Sequence, residues 1–337
     1  MLLRYYSYRL EFRRVFHIAA GARSGTDAVY VELEQDGQIG YGEAALPPYL
    51  PENIKSVTHF LDEVMLPDSI FDKPLTDIIK ELDESISGSY AAKAAMDIAL
   101  HDLYGKLTGL SVKSLLGLGN TPSCLSTYTL GISNKVIMEG ALKDALPFRL
   151  IKLKLGGEHD KQAIEDLQSI TDKPFCVDVN QGWTDLSFAI DMAHWLHEKG
   201  AFLLEQPLPK TRLDDMALLT EQSPIPIIAD ESVWRLADLQ KVLGACHGIN
   251  IKLMKSGGLL EALRMINEAR RLDMKILLGC MSESSCAVTA AAQLAGLCDW
   301  ADLDGPYLIA NDPFKGMWVE DGYVRVPDGA GLGVVKR

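Results

Sequence analysis

The chain has 337 residues, and 47% of them are apolar, which is enough for a sizeable core and excludes a disordered or low-complexity protein. Its 33 basic and 46 acidic residues give a net charge of −13, so we expect neither a nucleic-acid nor an anionic-membrane partner. No apolar run approaches the roughly 20 residues that span a bilayer, and no signal peptide is visible. The six cysteines form no CxxC pair, so we expect a cytoplasmic protein with reduced thiols.

The first third of the sequence mixes strand and helix patterns that do not alternate regularly. A hairpin-type turn at Asp36-Gly37 ends the second strand, and Thr108-Gly109 ends an Ala-rich helix whose small residues suggest close packing. Residues 1–118 are therefore predicted to form an α+β unit. Its predicted strands cover residues 1–12 and 28–34, and its predicted helices cover residues 52–65, 71–86 and 90–107.

From about residue 124, short apolar segments alternate with amphipathic helical stretches. Eight strands with helices between them favour an α/β fold of the parallel TIM-barrel type over an open sheet. We assign the barrel to residues 119–310, and we expect the segment 311–337, which has no barrel strand left to supply, to pack back on the first unit. The predicted strands are Ser126–Leu130, Leu150–Leu155, Phe175–Val179, Phe202–Glu205, Ile227–Asp230, Ile249–Leu253, Ile276–Leu278 and Ala301–Asp304.

Charged residues end nearly every predicted barrel strand, at the edge where such barrels carry their active sites. Asp178, Glu205 and Asp230 end three consecutive strands, and adjacent strands lie about 4.8 Å apart, so these side chains can converge. Three clustered carboxylates repel one another unless a cation neutralises them. An all-oxygen set without His or Cys favours Mg²⁺ over zinc.

Lysines end two strands that face each other across the barrel. Lys152 and Lys154 are two residues apart, so both point inward from the second strand, and Lys252 ends the sixth. A carbon held between Lys154 and Lys252 could lose a proton on one face and gain one on the other, with Lys152 stabilising the developing negative charge. Strand spacing alone does not decide between Lys252 and Lys255.

The last predicted strand ends at Asp302-Leu303-Asp304. Two carboxylates on one face suit a cationic ligand such as an α-ammonium group, but a helix cap or a turn accounts for the pair equally well.

Taken together, these motifs resemble the enolase superfamily, and within it the muconate-lactonising subgroup. The resemblance covers nearly the whole chain and implies an enolase-like barrel with a capping domain built from the N-terminal unit and the C-terminal segment. The matching pieces are Lys152-Leu153-Lys154, Asp178-Val179-Asn180-Gln181-Gly182-Trp183, Glu205-Gln206-Pro207, Ala229-Asp230-Glu231-Ser232 and the segment from Asn250 to Gly258.

The resemblance also implies roles for individual residues. It makes Asp178, Glu205 and Asp230 the ligands of one Mg²⁺ per subunit, and it makes Lys154 and Lys252 the acid/base pair, in preference to Lys255. The Asp302 and Asp304 pair is similar to the one that holds the substrate ammonium group in dipeptide epimerases. Further implied substrate contacts are Arg23, to a glutamate side chain, and Thr129, Met281, Ser282 and Glu283.

The activity implied is epimerisation of L-Ala-D-Glu and L-Ala-L-Glu through an ene-diolate by two-base proton transfer. One alternative keeps the fold and changes the outcome: o-succinylbenzoate synthase, N-succinylamino acid racemase or a cycloisomerase, whose substrates lack a free ammonium group. A remote alternative is a non-catalytic barrel that binds a metal or a peptide. Barrels of this kind often form homo-oligomers, but the sequence identifies no interface.

Overall fold

The structure is a computed structural model that describes residues 1–19, 21–119 and 121–337. It begins with an antiparallel sheet of three strands in the order β1-β2-β3: β1 (Leu2–Ile18), β2 (Gly21–Gln35) and β3 (Gln38–Leu46). The predicted turn joins β2 to β3, and Asp36 and Gly37 both have positive φ, as a two-residue hairpin of type I′ requires. β3 was not predicted from the sequence, and β1 extends six residues beyond its predicted end at residue 12.

Four helices follow the sheet: α1 (Ile54–Glu63), α2 (Leu75–Ser85), α3 (Tyr90–Thr108) and α4 (Val112–Leu115). The Ala-rich α3 lies directly on β3, as its small residues predict. A Cβ atom on Gly42 would lie 1.9 Å from the carbonyl oxygen of Ala95, and one on Gly40 would lie 2.2 Å from that of Ala99. Glycines on the strand and alanines on the helix therefore set this close approach.

The second unit is a parallel sheet of eight strands that follow one another in chain order. Its edges meet, because a parallel bridge joins Ser126 to Ala301 and the Ala301 amide donates to the carbonyl of Leu125 at 2.9 Å. The predicted barrel is confirmed. The strands are β4 (Thr127–Leu130), β5 (Leu150–Lys154), β6 (Phe175–Asp178), β7 (Ala201–Glu205), β8 (Ile227–Ala229), β9 (Gly248–Ile251), β10 (Lys275–Gly279) and β11 (Trp300–Asp302).

Helices cover the outside of the barrel or form short turns at its ends. No helix in the described ranges is long and apolar enough to cross a lipid bilayer. These helices are α5 (Lys135–Leu142), α6 (Asp160–Ile170), α7 (Leu186–Glu198), α8 (Leu213–Gln222), α9 (Leu239–Val242), α10 (Leu253–Ser256), α11 (Leu259–Arg271), α12 (Ser285–Ala292) and α13 (Gly305–Leu308).

The C-terminal segment forms two short antiparallel pairs, β12 with β15 and β13 with β14, and returns to the N-terminal unit. The Phe314 ring packs 5.3 Å from that of Tyr30 and 5.2 Å from that of Tyr41, and the Gly331 amide donates to the Leu110 carbonyl at 2.8 Å. The domain boundaries drawn after residues 118 and 310 stay a prediction. The strands are β12 (Phe314–Lys315), β13 (Trp318–Glu320), β14 (Tyr323–Arg325) and β15 (Val335–Lys336).

A buried carboxylate joins the N-terminal sheet to the barrel. Glu43 on β3 accepts hydrogen bonds from the Ser284 amide at 2.8 Å, the Ser284 hydroxyl at 2.5 Å and the Ala287 amide at 3.0 Å, all at the start of α12. Burial raises the pKa of Glu43 to about 7. All three partner groups are hydrogen-bond donors, and the positive end of the α12 dipole favours a negative charge on Glu43.

We predict that Glu43→Gln lowers the free energy of unfolding by about 1–3 kcal/mol, because one acceptor oxygen becomes an NH₂ group that faces other donors. Urea denaturation above pH 7, where the wild-type carboxylate is ionised, measures the loss. Glu34→Gln is the matched control, since Glu34 forms only a surface ion pair with Arg4 and should contribute about 0–1 kcal/mol. Equal stability of the Glu43→Gln and wild-type proteins would contradict this account.

Candidate active site

Three carboxylates meet at the carboxyl end of the barrel, as the sequence predicts. In the strand register, Lys154 lies beside Asp178, and Asp178 lies beside Glu205. Asp230 directly follows β8. Asp178, Glu205 and Asp230 are buried, and each offers an oxygen atom within 4.8 Å of those of the other two. The arrangement can therefore surround a single cation.

The Lys152 ammonium group lies among these carboxylates. Its nitrogen is 2.7 Å from Asp302 Oδ2, 2.8 Å from Glu205 Oε2 and 3.0 Å from Asp178 Oδ2. Burial disfavours the charged form, but the neighbouring carboxylates outweigh it and hold the pKa of Lys152 well above its usual range. Lys152 is thus a fixed positive charge at the base of the site.

Lys154 and Lys252 come from β5 and from the end of β9, which are four strands apart in an eight-stranded ring. Lys154 Nζ lies 2.5 Å from Asp178 Oδ2, and Lys252 Nζ lies 2.7 Å from Asp230 Oδ2. Both lysines line one pocket between the barrel mouth and the N-terminal sheet. Two amines on opposing strands are what proton transfer at both faces of one carbon requires.

The surroundings of Lys252 and Lys255 differ. The sequence predicts a strand to Leu253, but β9 ends at Ile251 and α10 begins at Leu253, so strand alternation does not govern Lys255. Lys255 Nζ contacts Asp230 Oδ1 at 2.5 Å and donates to the carbonyls of Asp230, Val233 and Asn250 at 2.6, 2.9 and 3.1 Å. These four acceptors hold the Lys255 ammonium group in place, whereas that of Lys252 has a single partner among the described residues, the Asp230 carboxylate.

The charges of the triad favour the binding of a cation. Burial and the Asp178 carboxylate raise the pKa of Glu205 to about 8. For Asp178, burial acts in the same direction, but the ammonium groups of Lys152 and Lys154 outweigh it and hold the pKa of Asp178 well below its usual range.

One oxygen of the triad is left without a hydrogen bond. Glu205 Oε1 accepts from Asn250 Nδ2 at 2.8 Å, while the buried Oε2 makes no hydrogen bond within the described residues despite its closeness to Lys152. Three carboxylates with an orphaned oxygen fit a hard divalent cation.

Asp302 and Asp304 lie at the end of β11, and only one of them is compensated. Asp302 pairs with Lys152 and accepts from the hydroxyls of Thr127 and Thr129 at 2.7 and 3.1 Å. Asp304 accepts from the Thr129 amide at 2.6 Å, and no basic side chain of the described residues forms an ion pair with it. Burial and Asp302 raise the pKa of Asp304 to about 7. Asp304 precedes α13 but makes no side-chain cap hydrogen bond, which disfavours the helix-cap interpretation.

The remaining predicted contact residues surround the pocket, with one exception. Thr129, Met281 and Ser282 line it, as does Arg23, whose guanidinium lies 5.2 Å from the Tyr49 ring centre and donates to the Thr26 hydroxyl at 3.0 Å. Among the described residues, Arg23 forms no ion pair. Glu283 is buried and accepts from the Met281 amide at 2.7 Å, and it does not line the pocket, so its contact with substrate stays a prediction.

Several pocket residues were not predicted as site residues. Asn180 and Glu231 lie inside the quoted motifs, next to the predicted ligands, and their position beside Asp178 and Asp230 was a usable signal. Tyr49, Lys210 and Trp234 come from loops, where neither hydrophobic periodicity nor a strand end marks them as site residues. The missed residues that line the pocket include Tyr49, Asn180, Lys210, Glu231 and Trp234.

The fold and the site together define a two-part barrel protein with an acidic triad and two opposed lysines at the carboxyl ends of its strands. Residues 6–117 match the model of the mandelate racemase / muconate lactonizing enzyme N-terminal domain, and residues 136–336 match that of the enolase C-terminal domain-like family. The chain therefore belongs to this family, and the predicted membership of the enolase superfamily is confirmed.

Relatives of known function match nearly the whole chain. An L-Ala-D/L-Glu epimerase from Bacteroides thetaiotaomicron is 46% identical over 337 residues, which is 100% of this chain and 88% of the relative. An L-Ala-D/L-Glu epimerase from Escherichia coli is 34% identical over 300 residues, 88% of this chain and 91% of the relative. The substrate-liganded L-Ala-D/L-Glu epimerase from Bacillus subtilis superimposes with a TM-score of 0.92 at 25% identity, covering 100% and 98% of the two chains.

A further solved structure carries both a metal and a ligand. The dipeptide epimerase from Cytophaga hutchinsonii, complexed with Mg and the dipeptide D-Ala-L-Val, superimposes with a TM-score of 0.91 at 27% identity, covering 99% of this chain and 95% of the other.

We predict that Lys255→Met destabilises the protein more than Lys252→Met. The first variant leaves Asp230 with one partner fewer and removes the ammonium donor from three backbone carbonyls, so we expect a loss of roughly 3–5 kcal/mol. The second removes a single contact to Asp230, and we expect a smaller loss. Urea denaturation of both metal-free variants measures the difference. Equal losses would show that Lys255 is not the more constrained lysine.

Proposed function

We propose that the protein is a Mg²⁺-dependent dipeptide epimerase, an isomerase that interconverts L-Ala-D-Glu and L-Ala-L-Glu. The observation that carries this proposal is Asp304, a buried carboxylate that has no counter-cation in the described part of the chain and lies in the pocket that holds both opposed lysines. A dipeptide brings the missing positive charge on its ammonium group. Succinylated substrates lack this charge. The relatives named as epimerases support the same assignment.

In this proposal Asp178, Glu205 and Asp230 hold one Mg²⁺ per chain, since they supply only carboxylate oxygens and lie close enough to share an ion. When bound, the cation would bind the C-terminal carboxylate of the dipeptide, make the adjacent α-proton more acidic and compensate the carboxylates that otherwise attract the lysine ammonium groups. The Mg and dipeptide bound to the Cytophaga hutchinsonii enzyme support this assignment.

The chain's own residues would then move the proton. One of Lys154 and Lys252, in its neutral form, takes the α-proton from one face of the carbon, and the ammonium form of the other returns a proton to the opposite face. Lys152 stays charged between Asp178, Glu205 and Asp302, where it stabilises the negative charge that develops on the substrate.

The two ends of the dipeptide would be recognised by opposite charges. Asp302, at the end of β11, and Asp304, two residues later, would bind the ammonium group next to Thr129, which contacts both carboxylates. Arg23 is placed to bind the glutamate side-chain carboxylate, since its guanidinium lines the pocket and forms no ion pair among the described residues. Met281 and Ser282 would complete the rim.

We expect the wild-type protein, with Mg²⁺ in D₂O, to incorporate deuterium at the glutamyl α-carbon of both L-Ala-L-Glu and L-Ala-D-Glu. Lys154→Ala and Lys252→Ala should each slow exchange from one stereoisomer by about 10²–10⁴-fold, because each removes the base on one face. NMR follows the loss of the α-proton signal.

Lys161→Ala, which removes an exposed lysine on α6, serves as the control and should exchange both isomers at the wild-type rate. A wild-type protein that leaves the glutamyl α-proton in place but turns over an N-succinyl compound would rule out the epimerase proposal.

We predict that Arg23→Met lowers kcat/KM for L-Ala-L-Glu by about 10- to 100-fold, because a charge-assisted hydrogen bond to the substrate contributes roughly 1.5–3 kcal/mol. The matched control is Arg13→Met, which removes an exposed guanidinium from the neighbouring strand β1. If Arg23→Met affects L-Ala-L-Glu no more than L-Ala-L-Leu, Arg23 does not recognise the glutamate carboxylate.

A further inference from the structure

Among the buried oxygen atoms near the acidic triad that lack a hydrogen-bond donor in the described residues are Asn180 Oδ1 and Glu231 Oε2. They belong to neighbouring side chains, since Asn180 Nδ2 donates to Glu231 Oε1 at 3.2 Å. That contact fixes the orientation of the Asn180 amide, because the NH₂ group must face the carboxylate. An unpaired acceptor shielded from water is unfavourable, so two of them on joined side chains call for a ligand that donates hydrogens.

The backbone holds both residues next to triad ligands. Glu231 directly follows Asp230. Asn180 lies two residues after Asp178, and its amide donates to Asp178 Oδ1 at 2.9 Å. Its φ of 46° places it in the left-handed region, where asparagine is tolerated better than most side chains. Both residues line the pocket that contains Lys252. Both side chains therefore adjoin triad residues in the same pocket.

The chemistry of the missing ligand can be narrowed by location. The proposed subsite for the dipeptide ammonium group lies at β11 and β4. Asn180 follows β6 and Glu231 follows β8. Each of these two strands is at least two positions away from β4 and from β11 around the barrel. An ammonium group held by Asp304 would thus lie at another part of the barrel and would not be the donor that Asn180 and Glu231 lack. A water molecule coordinated to a divalent cation turns its lone pair to the metal and offers two hydrogens, which matches two acceptors.

We propose that Asn180 and Glu231 are positioning residues that accept the two hydrogens of a water molecule bound to the divalent cation of the triad. The inference rests on the proposed function, because it needs that cation. Outer hydrogen-bond partners of this kind orient the groups around a metal, and their removal typically lowers metal affinity by about 10- to 100-fold. The pair would thereby reserve one position on the cation for water and direct the substrate carboxylate to the others.

The experiment measures Mn²⁺ binding, from the electron paramagnetic resonance signal of the free ion, to the full-length protein without substrate. Asn180→Gly removes one acceptor and tolerates the left-handed backbone, and Glu231→Gln places a donor where an acceptor is required. Both should lower Mn²⁺ affinity by about 10- to 100-fold while the melting temperature of the metal-free protein stays close to that of wild type. Gln181→Gly is the matched control, because Gln181 also has positive φ, at 67°, in the same turn, and it should bind Mn²⁺ like wild type.

Each other outcome has a defined meaning. Folded Asn180→Gly and Glu231→Gln variants that bind Mn²⁺ as tightly as wild type overturn the positioning role and leave the proposed function intact. Two Mn²⁺ ions per wild-type chain, one of which is lost in Glu231→Gln, also overturn it, because the pair would then bind a metal directly. Absence of Mn²⁺ binding by the wild-type protein refutes the metal site on which both proposals depend.

Discussion

The structure depends on keeping many charges out of water at the mouth of the barrel. Asp178, Glu205, Asp230 and Asp302 are buried there together with Lys152, Lys154, Lys252 and Lys255, four acidic and four basic groups. Burying ion pairs stabilises a fold little, because desolvation opposes the attraction. The cluster instead fixes positions, since each of these charged groups lies 2.5–3.0 Å from an oppositely charged partner. The strand ends, the turns that follow them and the cover over the pocket all serve this arrangement.

Backbone conformation adds to that constraint. Asn180, Gln181 and Gln206 have positive φ immediately after β6 and β7, where the chain turns away from the triad. The Gln181 amide donates to the Gln206 carbonyl at 2.8 Å, and Gln206 Oε1 accepts from the Asp230 amide at 2.9 Å, so consecutive turns are tied to one another. Unfavourable conformations of this kind persist where the surroundings hold them, and they concentrate at functional sites. Here they fix the directions in which the carboxylates of the triad and Asn180 point.

Much of this architecture was predictable, because it follows from local pattern. Eight apolar segments at regular intervals define the barrel, and a charge at the end of nearly every strand marks the edge that carries Asp178, Glu205 and Asp230. What escaped prediction depends on tertiary packing. The pairing of Glu43 with Ser284 joins residues far apart in sequence. The short helix α10, which gives Lys252 and Lys255 different surroundings, has no periodicity in the sequence that marks its start. Glu283 does not face the pocket and instead accepts a hydrogen bond from the Met281 amide.

The return of the C-terminal segment has a consequence for how the protein is made. Phe314 fills the space between Tyr30 and Tyr41, and Gly331 pairs with Leu110 so closely that an added Cβ would lie 2.2 Å from the Asp102 side chain. On the ribosome the N-terminal sheet emerges long before these partners exist. This face of the sheet therefore stays exposed while the entire barrel is synthesised, and exposed apolar surface of this kind is prone to aggregation.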